Sequence, residues 1–194
     1  TLCLDKTGTI TQGKMTVEAL HSLSDHFSEQ TIQVILSAYM QYSEDTNPTA
    51  QAIRKAYGEL EHAYTAENII PFSSDRKWGA MHLSNLGTVF LGAPEMLLKE
   101  NPAPVVEAQA RGSRVLVLAH SSELISMQEL KLPENLEGIA VIEITDPIRE
   151  GASDTLEYLR SQGVDLKIIS GDNPVTVSYI AQQAGFKNYE NYID

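Results

Sequence analysis

From Gly138 onward the chain follows one rhythm. A β-rich run, Gly138–Thr145, ends in Asp146-Pro147. Residues Glu150–Gln162 carry Ala152, Leu156 and Leu159 at helical spacing. Val164–Ser170 is a second apolar run, Gly171-Asp172-Asn173-Pro174 is a turn, and Val177, Ile180, Ala181 and Ala184 line one side of a further helix. Strand, helix, strand, loop, helix is the order of a parallel, doubly wound sheet. At the other end, Thr1-Leu2-Cys3-Leu4 is short, apolar and β-prone. It reads as a buried strand, which places Cys3 in a core rather than in a reactive position.

The middle has a different character. Ile32, Ile35, Leu36 and Tyr39 give Ser28–Tyr42 a helical face, with Ser28 as N-cap. Asn47-Pro48-Thr49 opens a second helix, expected to run to about Glu61. Strand-like pieces follow at Asn68–Phe72, Trp78–Leu83 and Thr88–Leu91, the last two joined by the hairpin turn Ser84–Gly87. Pro94 suits the start of a short helix, Val105 begins another, and Arg114–Ala119 is a strand; residues 121–137 are polar and ambiguous. The fold class expected is α/β, with a discontinuous first domain, residues 1–20 and 138–194, and a second, α+β domain inserted at 21–137.

Composition narrows the function. With 26 acidic and 14 basic residues the formal charge is -12, which argues against a nucleic-acid partner, since that needs a basic stripe. One cysteine rules out an internal disulfide framework. No apolar run approaches the roughly 20 residues that span a bilayer. The five histidines are scattered and lack metal-ligand spacing.

The chemistry sits in Asp5-Lys6-Thr7-Gly8-Thr9-Ile10-Thr11. A carboxylate at the carboxyl end of a strand points into the crevice where open α/β sheets bind ligands. Gly8 permits a sharp turn whose amides and hydroxyls can surround a phosphate. On spacing alone, a strand-ending Asp in a local turn is the commoner case. The full string, however, resembles the phosphorylation signature of P-type (E1–E2) cation-transporting ATPases, in the wider haloacid-dehalogenase superfamily. Five further stretches resemble that family's motifs in family order: Phe72-Ser73-Ser74-Asp75-Arg76-Lys77, Leu91-Gly92-Ala93-Pro94-Glu95 (KGAPE), Arg114–Ala119, Asp146-Pro147-Ile148-Arg149 (DPxR) and Ser170-Gly171-Asp172-Asn173 (TGDN).

The resemblance implies a truncated, Rossmann-like phosphorylation domain with an inserted nucleotide-binding domain, and ATP and Mg2+ as cofactors. It makes Asp5 the nucleophile for the γ-phosphoryl group, with Lys6 and Thr7 positioning phosphate, and Asp5 and the Thr7 main chain on magnesium. Ser170 and Gly171 bind the transferred group, and Asp172 organises the magnesium end. Phe72 stacks on adenine, Lys77 and Gly92 line the nucleotide pocket, and Arg114 meets ATP phosphates. Asp146 and Arg149 join the approach of the two domains over ATP. The position two after Asp5 is Thr7, where simple hydrolases of the superfamily often carry a second Asp. A hydroxyl there has no useful pKa for activating water, so an aspartyl phosphate should persist.

Two positions depart from the family pattern: Leu91 replaces the KGAPE lysine, and Ala50 stands where many members have an acidic residue near adenine. The downstream GDGxND segment, the actuator domain and the membrane helices are also missing. The chain is therefore expected to be a cytoplasmic piece of a pump at the membrane's inner face, with little ATPase turnover by itself, and with the transported inorganic cation handled elsewhere. The alternatives are a phosphatase of the same superfamily and a non-catalytic nucleotide-binding module.

Overall fold

The computed structural model describes residues 1–124, 130–191 and 193. Of the ambiguous stretch 121–137, residues 125–129 lie outside that set. The elements run β1 (Leu2–Asp5), a wide turn over Lys6–Ile10, β2 (Thr16–Ser22), α1 (Glu29–Tyr42), α2 (Pro48–Tyr57), β3 (Ala66–Ser73), β4 (Trp78–Leu83), β5 (Gly87–Gly92), α3 (Pro94–Leu97), α4 (Ala103–Ala110), β6 (Arg114–Ser121), β7 (Glu137–Thr145), α5 (Ala152–Ser161), β8 (Leu166–Ile169) and α6 (Pro174–Gln183). β1 and β8 form a parallel pair. The other six strands form an antiparallel sheet in the order β2-β7-β6-β5-β4-β3.

Local chemistry sets the helix starts. The Ser28 hydroxyl accepts from Thr31 N–H at the head of α1, and Asn47 and Asn173 do the same for α2 and α6, each followed by proline at the first helical position. α2 stops at Tyr57, short of the expected Glu61. There Gly58 donates to the Arg54 carbonyl, and the Arg54 guanidinium turns back to the carbonyls of Met40, Ser43 and Asp45 at the end of α1.

The large sheet is covered on both faces. Ile32, Ile35, Leu36, Tyr39 and Met40 of α1 pack with Leu83, Val89, Leu91, Leu118 and Ile142 on one side. On the other, Trp78, Phe90 and Val117 pack with Leu97, while Val115 and Val141 pack with Val105 and Ala108. Strands buried on both faces read as continuous apolar runs, which explains an error of sequence reading. The run IAVIEIT was expected in the parallel sheet with residues 1–20, but β7 lies inside the antiparallel sheet, between β2 and β6. Strand pairing thus puts residues 16–20 and 138–145 with the inserted lobe. The chain crosses between lobes at Thr11–Met15 and at Asp146–Ile148. The two crossings run side by side: Gln12 N–H donates to Pro147 O (2.8 Å), Arg149 N–H donates to Ile10 O (2.9 Å), and Thr11 bridges Ile148.

The parallel lobe is covered on one face only. Leu156, Ile180, Ala181, Ala184 and Phe186 pack with Leu4, Leu166 and Ile168. The opposite face carries Ile169, which is 63% exposed, and Cys3, which is exposed rather than in the core. Two strands alternate their side chains, so helices on one side bury only every second residue.

Candidate functional site

β1 and β8 run parallel with Asp5 beside Ile169. The turn after Asp5 and the loop Ser170–Asn173 therefore leave the sheet at the same end. In the first, Thr11 N–H donates to Lys6 O at 3.0 Å, and Gly8 takes φ +76°, a conformation that costs other residues strain. Asp5 and Gly171 are exposed, and Thr7 and Ser170 partly so. Lys6 is only 4% exposed, and its Nζ meets Asp172 Oδ2 at 2.8 Å. The Asp172 N–H donates to Ser170 Oγ (3.2 Å).

Arg114 reaches this cluster from β6 of the other lobe. Its Nη2 donates to Asp172 Oδ1 and its Nη1 to Thr49 Oγ1 (2.8 Å), and the Thr49 hydroxyl lies 3.2 Å from Met15 Sδ. Burial alone pushes the Asp172 carboxyl pKa up. Arg114 and Lys6 outweigh it and hold the group below the usual carboxylate range. The arginine expected to meet phosphates thus meets a carboxylate, and both lobes close on one acid. Lys6, Met15, Arg114, Asp146 and Thr176 line the cleft between them, with a volume of about 10 Å³, space for roughly one water.

Asp146 and Arg149 brace the turn from beneath. The Thr11 hydroxyl lies 2.6 Å from Asp146 Oδ2, to which it donates. Arg149 donates to Thr11 O (3.0 Å) and Gly8 O (2.7 Å). Asp146 Oδ1 is buried and has no hydrogen-bond partner among the described residues.

Phe72, Lys77 and Gly92 gather elsewhere, around the β3–β4 turn. Pro71 and Phe72 together oppose Gly79, because the register slips between Ile70 and Ser73. Such a bulge re-aims a side chain, and Phe72 is 40% exposed. Gly79 makes room for the Tyr39 hydroxyl, which would lie 2.8 Å from a Cβ there. Lys77 takes φ +57°, and its Nζ pairs with Glu95 Oε1 at 3.1 Å. Gly92 accommodates Trp78, whose Cβ would lie 2.5 Å from an added Cβ. Trp78 itself packs: it is buried edge-on to Phe90, with the Arg76 guanidinium 4.8 Å above its ring. Leu91 is buried in the α1-side core. No hydrogen bond or ion pair among the described residues joins this group to the Asp172 cluster.

Sequence reading gave no role to Thr11, although it closes the string from Asp5, nor to Met15 and Thr49, which no motif marks; Thr49 showed only as part of a helix start. It also missed a buried carboxylate, Glu143, treated below. For a divalent cation, no group of three or more His, Cys, Asp or Glu residues converges among the described residues. Asp172 is taken up by two cations. Asp5, exposed at the strand end, fits an ion held mainly by nucleotide phosphates and water, as magnesium commonly is.

Three comparisons bear on this geometry. The family model described as "Hydrolase: haloacid dehalogenase-like hydrolase" matches residues 1–194. The probable cation-transporting ATPase exp7 of Streptococcus pneumoniae serotype 4 is 60% identical over 194 residues, covering 100% of this chain and 25% of that protein. The calcium-transporting ATPase CtpE of Mycolicibacterium smegmatis is 34% identical over 190 residues, covering 95% of this chain and 23% of that protein. The chain therefore spans about a quarter of the length of these relatives. Among solved structures, a zinc-transporting PIB-type ATPase aligns with TM-score 0.55 and 25% identity over 95% of this chain and 28% of that one. The catalytic domain of the CPx-ATPase CopB-B aligns with TM-score 0.62 over 96% of this chain and 58% of that one; at 18% identity it speaks to fold alone. The resemblance to P-type ATPase cytoplasmic domains extends along the chain.

Proposed function

The chain belongs to the haloacid dehalogenase-like hydrolase family, and on that premise we propose that it is the nucleotide-binding and phosphoryl-accepting part of a P-type cation-transporting ATPase. One observation carries the reading: Lys6 and Asp172, from the two loops at the same end of the parallel strands, meet at 2.8 Å, and Arg114 from the other lobe closes on the same carboxylate. A cation pair gathered beside an exposed strand-end Asp is what transfer of a highly charged phosphoryl group requires, since that reaction is mostly positioning and neutralisation.

In the reaction, an Asp5 carboxylate oxygen forms a bond to the γ-phosphorus while the bond from phosphorus to the β–γ bridging oxygen breaks. ADP leaves with that electron pair. Lys6 neutralises charge on the transferred group, and Ser170 and Gly171 offer a hydroxyl and a main-chain N–H to its oxygens. Asp5 and the Thr7 main chain would hold Mg2+, which when bound supplies neutralising charge. ATP draws Arg114 from Asp172 onto its phosphates as the lobes part. At the far end, Phe72 offers an aromatic face to adenine and Lys77 a cation to the phosphates; Gly92 shapes the turn that carries them. Asp146 and Arg149 keep the turn after Asp5 in place. Thr7 supplies no general base, so the acyl phosphate is long-lived. The lobe of residues 16–145 delivers nucleotide, the β1–β8 lobe receives phosphate, and the cation crosses through membrane segments outside this chain. Among the described residues no helix is long and apolar enough to cross a membrane. The reading places the chain at the cytoplasmic face of one.

The test is acid-quenched labelling with Mg2+ and ATP carrying radioactive phosphorus at the γ position. The expected result is hydroxylamine-labile label, at most one phosphate per chain, lost in Asp5→Asn. Rapid p-nitrophenyl phosphate turnover by the wild type would favour a phosphatase instead, and MgATP binding without label would leave a nucleotide-binding module.

A further inference from the structure

A second buried carboxylate lies beside the cluster that joins the lobes, and the proposed reaction does not use it. Glu143 on β7 is 3% exposed. Ser113 Oγ donates to its Oε1 at 2.7 Å, Arg111 Nη2 donates to its Oε2 at 2.9 Å, and His21 Nε2 lies 3.4 Å from Oε2. Burial pushes the Glu143 pKa up; the three neighbours outweigh it and keep the carboxyl below its ordinary range. The two close donors belong to one short corner, residues 111–113, between α4 and β6. That corner also carries the other lobe: Ser113 O accepts from Thr176 Oγ1 (3.3 Å), and Gly112, at φ +77°, leaves space for the Tyr179 ring. Arg114 is the next residue, opposite Ile144, the neighbour of Glu143.

We propose that Glu143 is a positioning residue for Arg114. Its two oxygens, each with its own donor, fix the corner in orientation as well as place, so that the guanidinium one residue on enters the cleft at the phosphate end. Apolar packing would stabilise such a spot equally well; what a carboxylate adds is direction, through short charge-assisted hydrogen bonds. The inference rests on the reading of Arg114 as a phosphate contact.

The test is calorimetric titration with MgATP and, separately, with adenosine, using wild type, Glu143→Gln, Ser113→Ala, Arg114→Ala and the Glu143→Gln/Arg114→Ala pair. Glutamine keeps one carbonyl oxygen but presents N–H to the second donor, which must let go. We expect Glu143→Gln to weaken MgATP about fivefold or more, to leave adenosine within about twofold, and to add nothing to Arg114→Ala in the pair. Ser113→Ala, losing one hydrogen bond, should fall between, and it carries the test should the glutamine variant not fold. Equal losses for MgATP and adenosine, or full additivity in the pair, overturn the assignment, because the carboxylate would then act through the fold at large. Unchanged MgATP affinity in Arg114→Ala overturns the phosphate reading of that arginine, and the positioning role with it.

Discussion

At the parallel strands, Lys6 and Asp172 meet at 2.8 Å with side chains 5% and 13% exposed; at the β3–β4 turn, Lys77 and Glu95 meet at 3.1 Å with side chains 53% and 50% exposed. Both are lysine–carboxylate pairs at a candidate nucleotide site, and the energetics differ with the surroundings. The first is held by a third partner, Arg114, and removing one member strands a charge away from water. The second is screened by solvent and can exchange its carboxylate for a phosphate at little cost. On the proposed reading, the phosphate end is thus part of what holds the lobes together, whereas the base end is a surface that waits for a ligand.

The largest effect should come from breaking the buried end. Asp172→Ala leaves Lys6 without its partner and should cost about 3–5 kcal/mol in urea unfolding at neutral pH, the usual result of halving a buried pair. The same carboxyl predicts an acid limb. Its folded pKa is depressed, so its stabilisation is present above the unfolded value near ~4 and is lost as pH falls through the lower folded value. Wild type should lose stability over that window in urea titrations, and Asp172→Asn should lose less. An unfolding midpoint for Asp172→Ala equal to that of wild type would erase the contrast between the two ends.

A smaller effect should come from wedging the lobes apart. Gly112→Ala drives a Cβ into the Tyr179 ring at a positive φ. It should cost about 1–3 kcal/mol, combining overpacking with backbone strain. Adding Tyr179→Ala should return the packing part and leave the strain, which a double-variant thermal melt can separate.

The exposed end should respond least in stability. Lys77→Ala should change unfolding by under about 1 kcal/mol, the range of exposed ion pairs. Phe72→Ala should be similarly mild for folding, yet weaken MgATP binding about tenfold, in line with the roughly 1–3 kcal/mol of a base stacked on an aromatic ring. A Phe72→Ala variant that binds MgATP normally would remove the base end from the comparison.

What the sequence made legible follows local chemistry. The Ser28 cap, the helix starts at Asn47-Pro48 and Pro94 and the hairpin at Ser84–Gly87 were all readable, because each is decided within a few residues. So was a parallel sheet in the outer domain, from alternation of strand and helix, though not that β1 and β8 are its paired strands. The lobe of β7 was not. IAVIEIT is apolar from Ile139 to Ile142 and carries Glu143 beyond, and a run buried on both faces looks the same in either sheet. Cys3 was misplaced because four apolar residues cannot say whether one face or two are covered. At the site, motifs drew attention to Lys6, Asp172 and Arg114 singly. Their meeting depends on partners 58 and 166 residues apart in sequence, and no local pattern encodes that. Thr49 and Glu143 carried no signal, since a threonine in a helix start and a glutamate in a strand are ordinary until the fold brings partners to them.

The two crossings between lobes, Thr11–Met15 and Asp146–Ile148, are strapped to each other by Gln12, Arg149 and the Thr11–Ile148 bridge. A pair of laced tethers restricts sliding and favours a pivot about the line between them. Any swing of the lobe of residues 16–145 must then turn on the peptide stretch that continues directly from Lys6 and Gly8, so the opening of the cleft and the set of the turn after Asp5 share one axle.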